Sequence, residues 1–308
     1  MKYNREATTM QAFLESIFAP RQMNALNDLW PFIKELFTLD GLKRAGALLL
    51  AIIEIPGVLL FDSARSPVGP ALDLTGYSVV FEDSFDGGAM DTAKWEYRAT
   101  GPRSGGFMSP GQVRVEDGKL ILKAEYLEDG PNGPGWYSGM VRTVEEFTYG
   151  YYEMKCIVSK GGGFWSAWWL NARGMESAEA SAGGVGGAEV DIFEAFNYDE
   201  WMKRDSVSLN VHIGGYGDGL RSMHLGSWKG KNIYTEYNTY GLLWTETEYI
   251  FYINGVEALR SAFQDGVSQA PEYGIISLEL PSADGFSEEP GFKTEFVVES
   301  VRILQKDA

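Results

Sequence analysis

Three carboxyl side chains lie within six residues of one another in the segment A-E-V-D-I-F-E-A-F, residues 188–196. Successive side chains of a β-strand point to opposite faces, so Glu189 and Asp191 share one face. Glu194 has the wrong parity for that face, and one extra residue in a β-bulge would return it there. Like charges held together raise one another's pKa and oppose folding, so the pattern points to chemistry that uses paired acids.

Cleavage of a glycosidic bond is chemistry of this kind. A retaining mechanism needs two carboxyl groups about 5 Å apart, one ionised to attack the anomeric carbon and one protonated to donate to the leaving oxygen. On a straight strand the Cα atoms of Glu189 and Glu194 would lie roughly 13 to 16 Å apart, at about 3.3 Å per residue. Only a bent, bulged strand with both side chains leaning inward closes that gap. The alternative interpretation is a solvated acidic strand without catalysis.

The composition limits the classes of molecule that the protein is expected to bind. The chain has 308 residues, enough for one large β domain or two modest domains. Its 26 basic and 43 acidic residues give a formal charge of −17, which repels nucleic acid and anionic membranes at long range. A local basic patch could overrule that charge, so the preference for a neutral substrate is mild. The 9 Trp and 16 Tyr exceed the needs of a core and indicate rings placed for a ligand.

Metal-binding side chains are few. Cys156 is the only cysteine, which excludes an intramolecular disulfide and a thiol metal cluster. His212 and His224 are the only histidines, which argues against a histidine-built zinc centre.

Residues 1–72 differ from the rest and are predicted to form a helical N-terminal segment followed by a strap. Apolar residues at helical spacing predict a short helix that Pro20 ends. An apolar run within residues 42–61 follows two basic residues, but Glu54 and a Pro-Gly pair interrupt it, so a buried helix is favoured over membrane association. No N-terminal secretory signal is evident, and residues 66–70 indicate a linker or strap.

Residues 73–308 are predicted to form a β domain. Short strands alternate there with Gly, Asn and Asp turns, and Asn254-Gly255 is a strong hairpin signal. The Gly- and Pro-rich segment 102–110 is predicted to be a surface turn, and 174–187 a long connection that is either a flap at the cleft or a plain loop. A dozen strands predict two stacked antiparallel sheets with one wet face. The predicted strands are 78–85, 112–115, 119–126, 139–144, 150–158, 164–171, 189–196, 206–213, 238–244, 249–253, 274–280 and 293–304.

Several segments, in order, resemble glycoside hydrolase family 16, the β-jelly-roll enzymes that include laminarinases, lichenases, agarases and κ-carrageenases. Residues 189–194 fit the signature E-x-D-x-x-E in its bulged version, and G-F-W-S-A-W-W-L at 163–170 resembles the family's G-x-W-P-A-F-W-L. The resemblance covers residues 76–306. It implies an all-β sandwich, a concanavalin A-like jelly roll of two antiparallel sheets with a concave substrate cleft. Further matching segments are 81–87, 118–122, 138–143, 149–153, 240–245, 250–255 and 298–305.

The resemblance also assigns roles to the acids. It makes Glu189 the nucleophile and Glu194 the general acid/base, with Asp191 between them. Spacing alone could not make that assignment. Charge repulsion by Asp191 would help the two glutamates to share their protons unequally, so Glu194 is expected to be protonated near neutral pH.

Sugar-binding positions follow from the same resemblance. Trp165 matches a cleft tryptophan expected to stack on a sugar ring, whereas Trp168 has the opposite parity and is expected in the core. Trp169 shares the parity of Trp165 and stays undecided between the two roles. The remaining matches are Arg142, Asn210 and His212, of which His212 is equally well explained as a structural residue. Loop aromatics that could extend the glycan path are Trp136, Tyr137, Trp201 and Tyr216.

Two departures from the family pattern bear on calcium. Ser84 stands where many members have an acid, and Glu299 where many have Asp, at positions that often serve a structural calcium site. These replacements argue against calcium in this chain. No cofactor is expected in the chemistry.

The resemblance predicts a retaining endo-glycosidase that acts on a β-1,3-glucan or a mixed β-1,3-1,4-glucan. The alternatives are an endo-hydrolase of a β-galactan of the agar, porphyran or carrageenan type, and a carbohydrate-binding sandwich without catalysis. Transglycosylation uses the same covalent intermediate and is not distinguished by the sequence, and the oligomeric state is left open. A polysaccharide substrate implies a location outside the cell or at its surface.

Overall fold

Strands dominate the computed structural model, which describes residues 63–176, 183–262 and 266–307. The predicted N-terminal helices and the apolar run in 42–61 lie outside the described residues. Among the described residues, no helix has the length and apolar character needed to span a membrane.

Eighteen strands and three short 3-10 turns are found among the described residues. The turns are Pro110–Gln112, Arg173–Glu176 and Gly183–Gly186. The strands are β1 (Tyr77–Asp83), β2 (Trp95–Tyr97), β3 (Gly101–Arg103), β4 (Gly106–Met108), β5 (Val113–Glu116), β6 (Lys119–Leu127), β7 (Gly135–Ser138), β8 (Met140–Thr143), β9 (Gly150–Ile157), β10 (Trp165–Ala172), β11 (Glu189–Ala195), β12 (Ser206–Ile213), β13 (Arg221–Lys229), β14 (Asn238–Trp244), β15 (Tyr249–Ile253), β16 (Val256–Ser261), β17 (Glu272–Glu279) and β18 (Lys293–Lys306).

The strands form two sheets. An eleven-stranded sheet has the order β16-β15-β14-β9-β18-β6-β7-β4-β3, with β1 beside β18 and β5 beside β6. A seven-stranded sheet has the order β13-β12-β11-β10-β17-β8-β2. The described pairs are antiparallel except β4 with β7, which is parallel. The predicted all-β sandwich of two sheets is confirmed.

Aromatic side chains fill the space between the sheets. Phe193 of the seven-stranded sheet packs on Tyr240 of the other sheet, with ring centroids 4.2 Å apart. Trp168 is fully buried in the same core, as its parity predicted. Trp136 and Tyr137 are also buried, and Trp136 stacks on Phe286 at 5.3 Å. Trp136 and Tyr137 are therefore buried in the protein, and the suggestion that they extend a glycan path is wrong.

The segment before β1 is bonded to the edge of the larger sheet. The backbone N–H of Gly69 donates to the carbonyl of Glu257 at 2.9 Å, and that of Leu72 donates to the carbonyl of Gly255 at 2.8 Å. Residues 66–72 therefore form a strap along β16, one of the two interpretations that the sequence offered.

Several short strands and the nine-residue β13 were not predicted. Segment 102–110 was interpreted as a surface turn, but it contains β4 and most of β3, so that interpretation is wrong. In the 174–187 connection, one 3-10 turn precedes residues 177–182 and another follows them. Residues 177–182 lie outside the described residues.

Candidate active site

Strand β11 carries the three acids and contains the predicted bulge. Phe193 lies opposite Trp168 of β10, but Asp191 lies opposite the next residue, Trp169, so Ile192 is the extra residue. The pairing of β11 with β12 shifts at the same place. Sequence parity had predicted this irregularity at the correct position.

The bulge puts the acids on one face. Ile192 and Phe193 are both buried in the core between the sheets. The alternation then resumes, so that Glu189, Asp191 and Glu194 all face away from the core into one cavity of about 350 Å³. We call it the acid cavity. It is lined by Arg98, Arg103, Trp165, Ala167, Trp169, Glu189, Asp191, Glu194, Tyr216 and Glu279.

Glu194 is held by two donors. Trp165 Nε1 donates to Glu194 Oε1 at 3.0 Å, and Asn210 Nδ2 donates to Glu194 Oε2 at 2.6 Å. Asn210 Oδ1 is in turn 2.8 Å from His224 Nδ1. Burial, with the charge of Asp191 added, raises the pKa of Glu194 to about 8. A raised pKa favours the protonated form of Glu194, which is the form that can donate a proton.

Glu189 and Asp191 share a histidine. His212 Nε2 lies 3.1 Å from Asp191 Oδ2 and 3.7 Å from Glu189 Oε1. Tyr216 donates its hydroxyl proton to Glu189 Oε2. Burial raises the pKa of both carboxyls, and the charge of Asp191 raises that of Glu189 further, whereas His212 lowers it. Ionisation of all three acids at once is therefore disfavoured.

The indoles of β10 form part of the wall of the acid cavity. Trp165 is half-buried there. Trp169, which parity left undecided, also lines the acid cavity, but it is only 6% exposed and donates from Nε1 to Ser277 Oγ at 3.0 Å. Arg98 lies over the Trp169 ring, 5.1 Å from its centroid. Trp165 offers the more accessible face to a sugar ring.

Arg142 lies outside the acid cavity. Its Nε donates to Glu96 Oε1 at 2.5 Å, and its guanidinium lies 4.7 Å from the centre of the Tyr273 ring. It lines a neighbouring depression that shares Arg98 and Arg103 with the acid cavity. The groove formed by the two cavities therefore runs across the strands from β11 towards β2, and Arg142 is at its far part.

The sequence interpretation missed three charged residues of the acid cavity. Arg103 makes a bidentate pair with Glu279, with Nε to Oε2 at 2.7 Å and Nη2 to Oε1 at 3.0 Å. Glu279 is 4% exposed and ends β17. Arg98, the third, lies between β2 and β3. Glu279 could have been found from the alternation of β17, because it is an even number of residues from Ile275, whose side chain packs on the cleft face. For the two arginines no signal existed, because β2 and β3, which flank Arg98 and of which β3 contains Arg103, were not predicted.

One group in the acid cavity has the donor atoms of a metal site. Ligand atoms of Glu189, Asp191 and His212 lie within 4.8 Å of one another. Both nitrogens of His212 already have partners in the protein, Nε2 in Asp191 and Nδ1 in Ser222 Oγ at 2.6 Å. We describe the group as a hydrogen-bonded network, and the expectation that the chemistry needs no cofactor stays a prediction.

The two positions considered for calcium have partners of their own. Ser84 Oγ donates to Asp86 Oδ2 at 2.6 Å, and Lys155 Nζ lies 2.5 Å from Glu299 Oε2. The expectation that calcium is absent there stays a prediction.

Comparisons with known proteins agree on one family. Residues 79–278 match the family model described as the GH16 domain of beta-porphyranases A–D. The chain is 27% identical over 217 residues to glucan endo-1,3-beta-glucosidase A1 of Niallia circulans, covering 63% of the chain and 30% of that protein. It is 30% identical over 139 residues to beta-porphyranase E of Zobellia galactanivorans, covering 43% of the chain and 48% of that protein. The chain thus spans less than half the length of these two relatives.

A solved structure shows the same fold. The crystal structure of a non-specific endo-beta-1,3(4)-glucanase from family GH16 superposes with a TM-score of 0.63 at 22% identity, covering 80% of this chain and 97% of that one. At this identity the likeness bears on the fold alone.

Proposed function

This chain belongs to glycoside hydrolase family 16, and on that premise we propose that it is an endo-glycosidase that cleaves a β-linked polysaccharide with retention of anomeric configuration. The observation that carries the proposal is the bulge in β11, which directs Glu189, Asp191 and Glu194 into one cavity. A sandwich that only binds sugar gains nothing from three buried carboxyl groups whose pKa values are raised.

The proposed reaction is a double displacement. Glu189 attacks the anomeric carbon while Glu194 gives its proton to the glycosidic oxygen, which leaves with the first product. Glu194, now ionised, takes a proton from a water that attacks the glycosyl-enzyme and releases Glu189. Asp191 and His212 lie next to Glu189, where His212 favours the ionised carboxylate that attacks and Asp191 opposes it. Because the substrate is a polysaccharide, the proposed site of action is outside the cell or at its surface.

A β-1,3-glucan or mixed β-1,3-1,4-glucan is the first candidate substrate. Two of the arginines along the groove, Arg103 and Arg142, are each paired with a carboxylate, Glu279 and Glu96 respectively. These pairs largely balance the positive charge, which favours a neutral glycan. The likeness to the glucan endo-1,3-beta-glucosidase points the same way.

A β-galactan of the agar, porphyran or carrageenan type is the second candidate. The matching family model and one relative are porphyranases. Arg98 and Arg103 lie at the junction of the two cavities, and guanidinium groups there would attract an anionic substituent of such a glycan.

A panel of polysaccharides decides between the candidates. Laminarin, barley glucan, lichenan, agarose, porphyran and carrageenan are incubated with the enzyme, and the reducing ends and product sizes are measured. We expect oligosaccharides from laminarin or barley glucan, and none with Glu189→Gln. Products only from a galactan would select the second candidate. Binding without products from any of them would support the non-catalytic sandwich.

Trp165 affects both binding and proton donation. Trp165→Phe keeps a ring but removes the indole donor to Glu194, a hydrogen bond that lowers the pKa of Glu194. We expect the high-pH limb of kcat/KM to move to higher pH in Trp165→Phe. Trp165→Ala also removes the stacking face and is expected to raise KM about tenfold, since the loss of roughly 55 Å² of apolar contact at about 25 cal/mol per Å² costs about 1.4 kcal/mol. Equal kinetics for the wild type and Trp165→Ala would remove Trp165 from the substrate site.

A further inference from the structure

The connection between β12 and β13 brings a tyrosine to the acid cavity. Gly214 and Gly215 have φ values of +88° and +74°, the left-handed region that favours glycine, so the chain turns sharply as it leaves β12. The backbone N–H of Tyr216 then donates to the carbonyl of Met175 at 3.3 Å. This bond joins the connection to the 3-10 turn that follows β10. Two separate connections therefore meet beside Glu189.

The phenol of Tyr216 lies between an amide and a carboxyl group. Asn171 Nδ2 donates to Tyr216 Oη at 2.7 Å, and Tyr216 donates to Glu189 Oε2. Asn171 is fully buried and lies opposite Glu189 in the pairing of β10 with β11, so its backbone is held beside that residue by the sheet. A phenol oxygen that accepts from this amide must turn its own proton towards Glu189. The chain of two hydrogen bonds is thus directed from the sheet to the carboxyl group.

We propose that Tyr216, oriented by Asn171, is a positioning residue that holds the Glu189 carboxylate in place for attack on the anomeric carbon. The inference rests on the proposed function, because it concerns the group assigned as the nucleophile. Neither residue belongs to the E-x-D-x-x-E segment. Tyr216 is 49% exposed, so it reaches Glu189 from the solvent side while Asn171 supports it from the sheet.

The surroundings of Glu189 show what this bond must oppose. Burial disfavours the charged carboxylate, and Asp191 and Glu194 on the same strand repel it. His212 of β12 and Arg98 act in the opposite direction. A hydrogen bond donated to the charged form adds to their effect. The other charged groups that face Glu189 are Arg103 of β3 and Glu272 of β17.

Tyr216→Phe tests the proposal, since it keeps the ring and removes only the hydroxyl. The Glu189 carboxyl group is titrated by 13C NMR of protein labelled at the glutamate side-chain carboxyl, with Glu189→Gln to assign the signal. We expect the pKa of Glu189 to rise by about one unit in Tyr216→Phe, the scale of one hydrogen bond to a charged group. In kinetics, the low-pH limb of kcat/KM should move to higher pH by the same amount, because the nucleophile must be ionised.

A matched control is Tyr237→Phe. The Tyr237 ring lies 5.4 Å from Lys155 Nζ, beside the other sheet, and the loss of its hydroxyl should change neither the titration nor the limb. Asn171→Ala should produce part of the Tyr216→Phe shift, and the double variant should shift no further than Tyr216→Phe alone, because both act through one bond. An unchanged Glu189 titration in Tyr216→Phe would overturn the proposal. The NMR titration needs no substrate, so the two proposals can fail separately. A shift of the Glu189 pKa without activity on any polysaccharide of the panel would refute the proposed hydrolysis but support the hydrogen bond from Tyr216.

Discussion

Glu189→Gly is expected to lower kcat by about 10⁴-fold or more on any polysaccharide that the wild-type enzyme cleaves, because Glu189 is the group proposed to form the glycosyl-enzyme. Azide fits the space that the side chain leaves and can attack the anomeric carbon directly. A single displacement inverts the configuration, so the expected product is the α-glycosyl azide. The measurement is the rate of product formation with and without azide, with the anomer identified by NMR.

The matched control for this rescue is Asp191→Gly. Asp191 is 3% exposed and lies beside Glu189, so its removal opens a comparable space without removing the proposed nucleophile. Azide should not produce the α-glycosyl azide in that variant. If azide instead gave the β-azide with Glu189→Gly, Glu189 would be the acid/base and the assignment of the two glutamates would be exchanged.

Glu194→Gly is expected to slow cleavage of the polysaccharide by about 10²- to 10⁴-fold, the usual contribution of a general acid. Formation of the glycosyl-enzyme from a dinitrophenyl β-glycoside should hardly change, because that leaving group needs no proton. Azide should then speed release of the glycosyl-enzyme and give the β-glycosyl azide, with retained configuration.

The pH profile checks the same residue independently. A general acid works only in its protonated form, and the pKa of Glu194 is raised to about 8 by burial and by Asp191. For the wild type we expect kcat/KM to fall as the pH rises through about 8. In Glu194→Gln the residual activity should lose that high-pH limb. A limb that persists in Glu194→Gln would belong to another group.

The acid strand could be predicted correctly from sequence because the information there is local. Two rules were sufficient, the alternation of side chains and the count of residues between Asp191 and Glu194. Most long strands had the same advantage, since their alternation extends over enough residues to be recognised. The nine-residue β13 was missed, because Gly226 and a shift of its register against β12 interrupt the alternation. The opposite parity of Trp165 and Trp168 likewise placed one ring in the acid cavity and the other in the core.

The far side of the groove was missed for a physical reason. Strands β2, β3 and β4 have three residues each, too few to show a period of two, and β3 and β4 lie in a Gly- and Pro-rich segment typical of turns. Arg98 is positioned by a backbone hydrogen bond to Met140 of β8, and Arg103 by its side-chain pair with Glu279 of β17, contacts that no local pattern records. The position of Arg142 also depends on a distant partner, Glu96, which holds it outside the acid cavity.

The strap along β16 has a consequence for where this β domain can be cut. Without residues 66–72, the outer edge of β16 would present free backbone donors and acceptors, which invite another chain to add a strand and begin aggregation. The strap occupies part of that edge with its own backbone, and Leu72 packs against the cluster formed by Tyr151, Ile250, Tyr252 and Leu304. A shortened protein that is meant to stay monodisperse should therefore begin no later than Ser66.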